Sequence, residues 1–139
     1  MSKGTLIQLD TNILIDLATV DCPHLGPIWH WLRTGEKFAA SAIAWSEFCN
    51  GPHSRRQKDA VFAVLEQRVT DFSWQMGEQA SRLFHYTGRK RGSHADCMIA
   101  AAAMLAGAAL ATRNVEDFQK FLPLGLMLMP VETVVPTAG

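Results

Sequence analysis

Short apolar runs alternate with helix-patterned stretches along this chain, and no other feature narrows its possible folds as far. Residues 5–9 (TLIQL), 38–40 (FAA), 69–72 (VTDF), 108–112 (AALAT) and 126–129 (LMLM) have strand length. Most of them read as nearly continuous apolar runs, the signature of strands covered on both faces. Between them lie segments of helical period, beginning at Thr11 and covering 24–36, 42–49, 54–67, 74–86, 94–106 and 115–121. Ser41 stands where an N-cap belongs, Asn50, Gly51 and Pro52 end the helix it opens, and Gly35, Gly88 and Gly107 are further stops. Parallel strands need crossover connections, and helices supply them here. The expected fold class is therefore α/β, one three-layer Rossmann-like domain over 1–139 with a short parallel sheet flanked by helices.

Composition agrees with a globular chain. Its 139 residues are 48% hydrophobic and 19% charged, which argues against disorder. Thirteen Lys and Arg balance thirteen Asp and Glu, so attraction to nucleic acid has to be local. Cys22, Cys49 and Cys97 are odd in number and lack C-x-x-C spacing, which suits free thiols in a reducing compartment. The start MSKGTLIQLD has no secretory pattern, and the longest apolar run falls short of the roughly 20 residues that span a bilayer. A cytoplasmic protein without membrane attachment is expected.

Acids stand at informative places relative to the strand ends. In open parallel sheets, sites form beyond the carboxyl ends of the strands. Asp10 directly follows the first strand, while Thr112, Asn114 and Asp117 follow the strand at 108–112. Glu47 sits in the helix after FAA, and Asp96 opens the helix before AALAT. Each acid also has a plain structural use: a helix cap for Asp10 and Asp117, a favourable helix-start charge for Asp96, a solvated side chain for Glu47. Gathered in one cleft they would repel, a pair about 4 Å apart costing about 4 kcal/mol at an effective dielectric of 20. No Lys or Arg is interleaved with LDTN, AWSEF or HADCM, so a hard divalent cation, Mg²⁺ or Mn²⁺, is the economical counter-charge.

These motifs resemble the PIN-domain ribonucleases, and within them the VapC-type toxins of bacterial toxin-antitoxin pairs. LDTNILIDL matches the opening acid motif at Asp10, SAIAWSEFCNG the second at Glu47, and HADCMIAAAAMLAGAALATRNVEDF the third and fourth at Asp96 and Asp117. The resemblance spans nearly the whole chain. It implies a PIN-like domain and an Mg²⁺- or Mn²⁺-dependent endoribonuclease that hydrolyses RNA, commonly a homodimer, restrained by a cognate antitoxin protein. Asp10, Glu47, Asp96 and Asp117 would be the catalytic and metal-holding acids, and Asn12, Thr112 and Asn114 would orient them. Asn114 and Glu116 compete with Asp117 for the fourth place.

Other residues are less telling. Arg113, beside the acids, is a weak candidate for RNA contact, and the clusters Arg55, Arg56, Lys58 and Arg89, Lys90, Arg91 are either phosphate contacts or solvated faces. His94 is expected to start its helix, and most of the four Trp residues to pack in the core or a dimer interface. The apolar stretches 28–32 and 61–65 are candidates for an antitoxin groove. Two competing readings are a binding module of the same fold without catalysis, and a phosphatase-like domain with Asp10 as nucleophile, which LDTN disfavours by lacking D-x-D.

Overall fold

A computed structural model of the protein describes residues 6–134. Five parallel strands form one sheet: β1 (Leu6–Leu9), β2 (Lys37–Ser41), β3 (Val69–Thr70), β4 (Ala109–Thr112) and β5 (Leu128–Pro130), in the order β3-β2-β1-β4-β5. Seven α-helices are described around them: α1 (Thr11–Ala18), α2 (Gly26–Arg33), α3 (Ala42–Cys49), α4 (Arg55–Val64), α5 (Trp74–Tyr86), α6 (His94–Leu105) and α7 (Val115–Phe118), the last continuing as a 3-10 turn, Gln119–Leu124. The three-layer α/β expectation holds. Because the chain builds outward from β1 on one side and then resumes from β4 on the other, the order reverses between these two strands. That is where a parallel sheet opens a crevice.

Burial follows the period of the strands. Ile7 and Leu9 point to one face together with their neighbours Phe38 and Ala111, and all are buried. Phe48, Phe118 and Phe121 are also fully buried, each adding about 1.5–3 kcal/mol of hydrophobic stabilisation. The run Ala100 to Ala103 in α6 is buried throughout, and its small side chains let the helix lie close over β2 and β4. Gln8, in the central strand, is the exception: it is 1% exposed, and neither atom of its amide has a hydrogen-bond partner among the described residues.

Helix starts agree with the side chains placed there. Ser41 Oγ accepts from the Ala44 amide, Ser54 and Gln57 form a capping box, and Ser73 Oγ accepts from the Met76 amide. Helix ends are where expectation and structure differ. The helix expected over 54–67 stops at Val64, because Glu66 and Gln67 adopt left-handed φ angles of 50° and 64° that turn the chain into β3. That strand keeps two of the four residues expected. The helix expected at 115–121 is one α turn followed by 3-10 geometry around Pro123, and the last strand lies at Leu128–Pro130 rather than 126–129. Thr5, expected in the first strand, lies outside the described residues.

Val61 and Leu65 are fully buried, so this part of the suspected antitoxin groove faces the core instead. In the other part Ile28 is buried while Trp29 and Leu32 are exposed. Trp31 and Trp45 pack against the core, whereas Trp74 is largely exposed.

Candidate acidic site

Asp10 ends β1 and opens α1. Its amide donates to the Ala111 carbonyl at 3.0 Å, carrying the strand pairing one residue past Leu9. The chain then turns, and Asp10 becomes the N-cap, with Oδ1 accepting from the Thr11 amide at 2.8 Å. Its other oxygen accepts from Thr112 Oγ1, at the end of β4, at 2.7 Å. Capping a helix and facing a cleft are therefore compatible uses of one carboxylate.

Thr112 is the hub that joins the two strand ends. Besides donating to Asp10, its hydroxyl oxygen accepts from the Asn114 amide at 2.9 Å and, at a long 3.4 Å, from Asn12 Nδ2. Asn12 Oδ1 faces the Arg113 amide, also at 3.4 Å. On the opposite side Thr11 Oγ1 donates to Glu47 Oε1 at 2.7 Å, linking the start of α1 to α3. Thr11 is a site residue that the sequence did not reveal; only the packing of α1 on α3 shows it.

Asp10, Glu47 and Asp96 share one cavity of about 240 Å³ with Thr11, Asn12, Ile15 and Asn114. Asp117 borders two adjoining hollows, one with Arg113, Asn114 and Glu116, the other with Asp96 and the basic side chains Lys90, Arg91 and Lys120. Of the three candidates for the fourth place, Asn114 lines the acidic cavity itself, and the charge of Asp117 acts on both Asp10 and Asp96.

Crowding and burial oppose ionisation here. Burial pushes the Asp10 carboxyl upward, the bonds from Thr112 and Thr11 pull it back, and the charges of Glu47 and Asp117 raise it further. Asp96 is pushed up to about 6, first by burial and then by the negative charges of Asp117 and Asp10, with Lys120 acting the other way. Lys120 is thus a positive charge that spacing in the sequence hid. Because the folded value exceeds the ordinary carboxylate value of 3.8, the stability Asp96 contributes is fully present below that pH and lost as pH rises through about 6. Asp96→Asn is accordingly expected to stabilise the metal-free protein at pH 7.5, by on the order of 1 kcal/mol after discounting for partial exposure, and to change little at pH 4. Thermal melts at both pH values check this; equal shifts at the two would refute it.

Arg113 has a different position from the one expected of an RNA contact. Its Nε and one terminal nitrogen grip Asp16 of α1 at 2.7 and 3.0 Å, and its other terminal nitrogen donates to Thr133 Oγ1 at 3.3 Å. Asp16 is buried, so the pair acts as a clamp between α1 and the loop after β4. Asp16 also meets Cys22 and His24, with possible ligand atoms within 4.8 Å of one another. Both Asp16 oxygens serve Arg113, however, and His24 Nδ1 accepts from the Val134 amide at 2.8 Å, so the carboxylate and this ring nitrogen are already engaged. Elsewhere, His94 packs edge-on against Phe84, and Arg55 pairs with Asp59 on the surface of α4.

The acidic cavity offers carboxylate, amide and hydroxyl oxygens, with no His or Cys among its lining residues. That donor set fits a hard divalent cation. Among the described residues, no helix is long and apolar enough to cross a membrane.

Comparison with known proteins agrees with the geometry. No curated protein sequence matches the chain. Solved structures do. A VapBC2 structure from Rickettsia felis, bound to a DNA fragment from their promoter, superposes with a TM-score of 0.68 at 20% identity, covering 92% of this chain and 100% of that one. A toxin-antitoxin complex from Klebsiella pneumoniae gives 0.65 at 26% identity, over 91% and 98%. VapC20 of Mycobacterium tuberculosis, a toxin that cleaves the sarcin-ricin loop, gives 0.59 at 15%, over 87% and 96%. The sequence profile of the PIN domain matches residues 7–121, and the chain belongs to this family, whose members are generally nucleases.

Proposed function

We propose that this protein is a VapC-type endoribonuclease toxin, which hydrolyses RNA phosphodiester bonds with the help of Mg²⁺ or Mn²⁺ and is held in check by a cognate antitoxin. The observation that carries this reading is the convergence of Asp10, Glu47 and Asp96, from three separate elements, on one cavity at the carboxyl ends of β1 and β4. Similar structures solved as toxin-antitoxin complexes support the antitoxin partner, and VapC20 supports RNA as substrate. A homodimer in the cytoplasm is the working assembly proposed.

Asp10, Glu47 and Asp96 would hold the cation, with Asp117 at its margin. Bound there, a divalent ion supplies positive charge to the phosphoryl oxygens and acidity to a water. The chain's own residues do the positioning. Thr112 and the Thr11 amide fix the Asp10 carboxylate in one rotamer, and Thr11 Oγ1 fixes Glu47. Hydrogen bonds of this kind spare the reorganisation that mobile carboxylates would need. Asp96, whose carboxyl is raised by burial and by the neighbouring acids, would be held ionised by a cation in this cavity, and Glu47 or Asp96 would position the attacking water. Asn114, lining the same cavity, is placed to orient that water or a phosphoryl oxygen.

The test is induction of the free protein in bacterial cells, followed by sequencing of cellular RNA ends. Growth arrest with new ends at a small number of sites, both relieved by co-expression of an antitoxin-sized protein encoded alongside, is the expected outcome. Normal growth with unchanged RNA ends would instead favour a PIN-fold module without catalysis.

A further inference from the structure

A second hollow of about 200 Å³ abuts the acidic cavity, and the two share Asp96. Its other walls are Lys90, Arg91, Gly92 and Ser93 from the loop entering α6, together with Asp117 and Lys120 from the segment after β4. Three cations from two distant parts of the chain thus face one small space. Lys120 lies with its ammonium 5.3 Å from the Phe121 ring centroid, and Phe121 is fully buried, which limits the directions the lysine can take.

The entrance to α6 adds to this field. Its N-cap, Ser93, has helical instead of extended backbone (φ −91°, ψ 0°) and makes no side-chain cap, and its hydroxyl donates backward to the Lys90 carbonyl at 2.7 Å. The first turn of this 12-residue helix thus lacks a side-chain cap, and Gly92, Ser93 and Asp96 at its start line the same wall as the cations. Asp96 and Asp117 are the opposing charges, two carboxylates against three cations.

Resting on the ribonuclease reading above, we propose that this hollow is a phosphate subsite, in which Lys90, Arg91 and Lys120 hold the backbone phosphate of the RNA nucleotide next to the bond being cut. The shared wall makes the geometry directional. A strand whose scissile phosphate lies over Asp10 and Asp96 passes its neighbouring phosphate across Asp96 toward Lys120, and this sets which way the chain threads the site.

Affinity for a mixed-sequence single-stranded RNA 12-mer, measured by fluorescence anisotropy in Ca²⁺ across a salt series, tests the proposal. Each phosphate contact contributes about 0.7 to the slope of log affinity against log salt for single strands. The triple variant Lys90→Ala, Arg91→Ala, Lys120→Ala should lower that slope by about 0.7 and weaken binding about tenfold at low salt. Lys120→Arg should keep most of the affinity that Lys120→Gln loses. Removing the other cationic cluster, with Arg55→Ala, Arg56→Ala and Lys58→Ala, should leave the slope unchanged. A folded triple variant with the wild-type slope, in a protein that still cleaves RNA, overturns the subsite alone. Failure of the wild type both to bind and to cleave RNA overturns the ribonuclease reading, and the subsite with it.

Discussion

Asp10→Asn is expected to reduce RNA cleavage about a thousandfold while leaving the fold intact. The substitution preserves shape and keeps one oxygen for the Thr11 amide, so the helix start should survive, while its new NH2 faces Thr112 Oγ1, whose hydroxyl must turn to accept. What it removes is charge. Asp10 is 5% exposed and each of its oxygens accepts a hydrogen bond, so its charge is fixed where the cavity needs it. Loss of one preorganised electrostatic group in a water-poor site typically costs a factor of about 10² to 10³, and loss of a cation's principal ligand adds to that. Single-turnover cleavage of a labelled RNA with Mn²⁺, beside a circular dichroism melt, separates chemistry from folding. Cleavage within tenfold of wild type would show that the reaction centre lies elsewhere.

The second large effect concerns stability. Arg113→Ala is expected to cost about 3 kcal/mol, because it strands the buried carboxylate of Asp16 without its bidentate partner. Lys cannot reproduce the forked contact, so Arg113→Lys should recover only part of the loss. Replacing both members, with Asp16→Leu and Arg113→Met, should come closer to wild type than Arg113→Ala does, since an apolar pair leaves no charge uncompensated. Urea unfolding of the three variants decides the matter: a change below about 0.5 kcal/mol in Arg113→Ala would mean the clamp is slack. Activity should fall beyond what instability explains, because the clamp also sets the loop from which Asn114 reaches the cavity.

Much of this was legible in the sequence for a physical reason. Parallel strands buried on both faces leave contiguous apolar runs, and an acid immediately after such a run has few uses, so Asp10 stood out at once. Glu47 and Asp96 were legible only through helical spacing and the match of their motifs. What spacing could not show were contacts closed across the fold. The Thr11–Glu47 bond joins residues 36 apart, the Arg113–Asp16 pair joins residues 97 apart, and Lys120 meets Asp96 only because α6 and the segment after β4 converge. The clamp explains why Arg113 misled: an arginine beside acids looks the same in sequence whether it awaits phosphate or is already bound. Helix ends were misjudged where single residues such as Glu66 and Gln67 take backbone angles that their side chains do not advertise.

Because β1 lies between β2, the next strand made, and β4, made much later, Asp10 waits for Thr112, 102 positions on, before its carboxylate is fully held. A chain still emerging from the ribosome, with its first hundred residues outside, therefore carries the leading acid but not the strand beside it. Synthesis itself thus imposes a delay, since the acidic cluster closes only once the strand ending at Thr112 is outside.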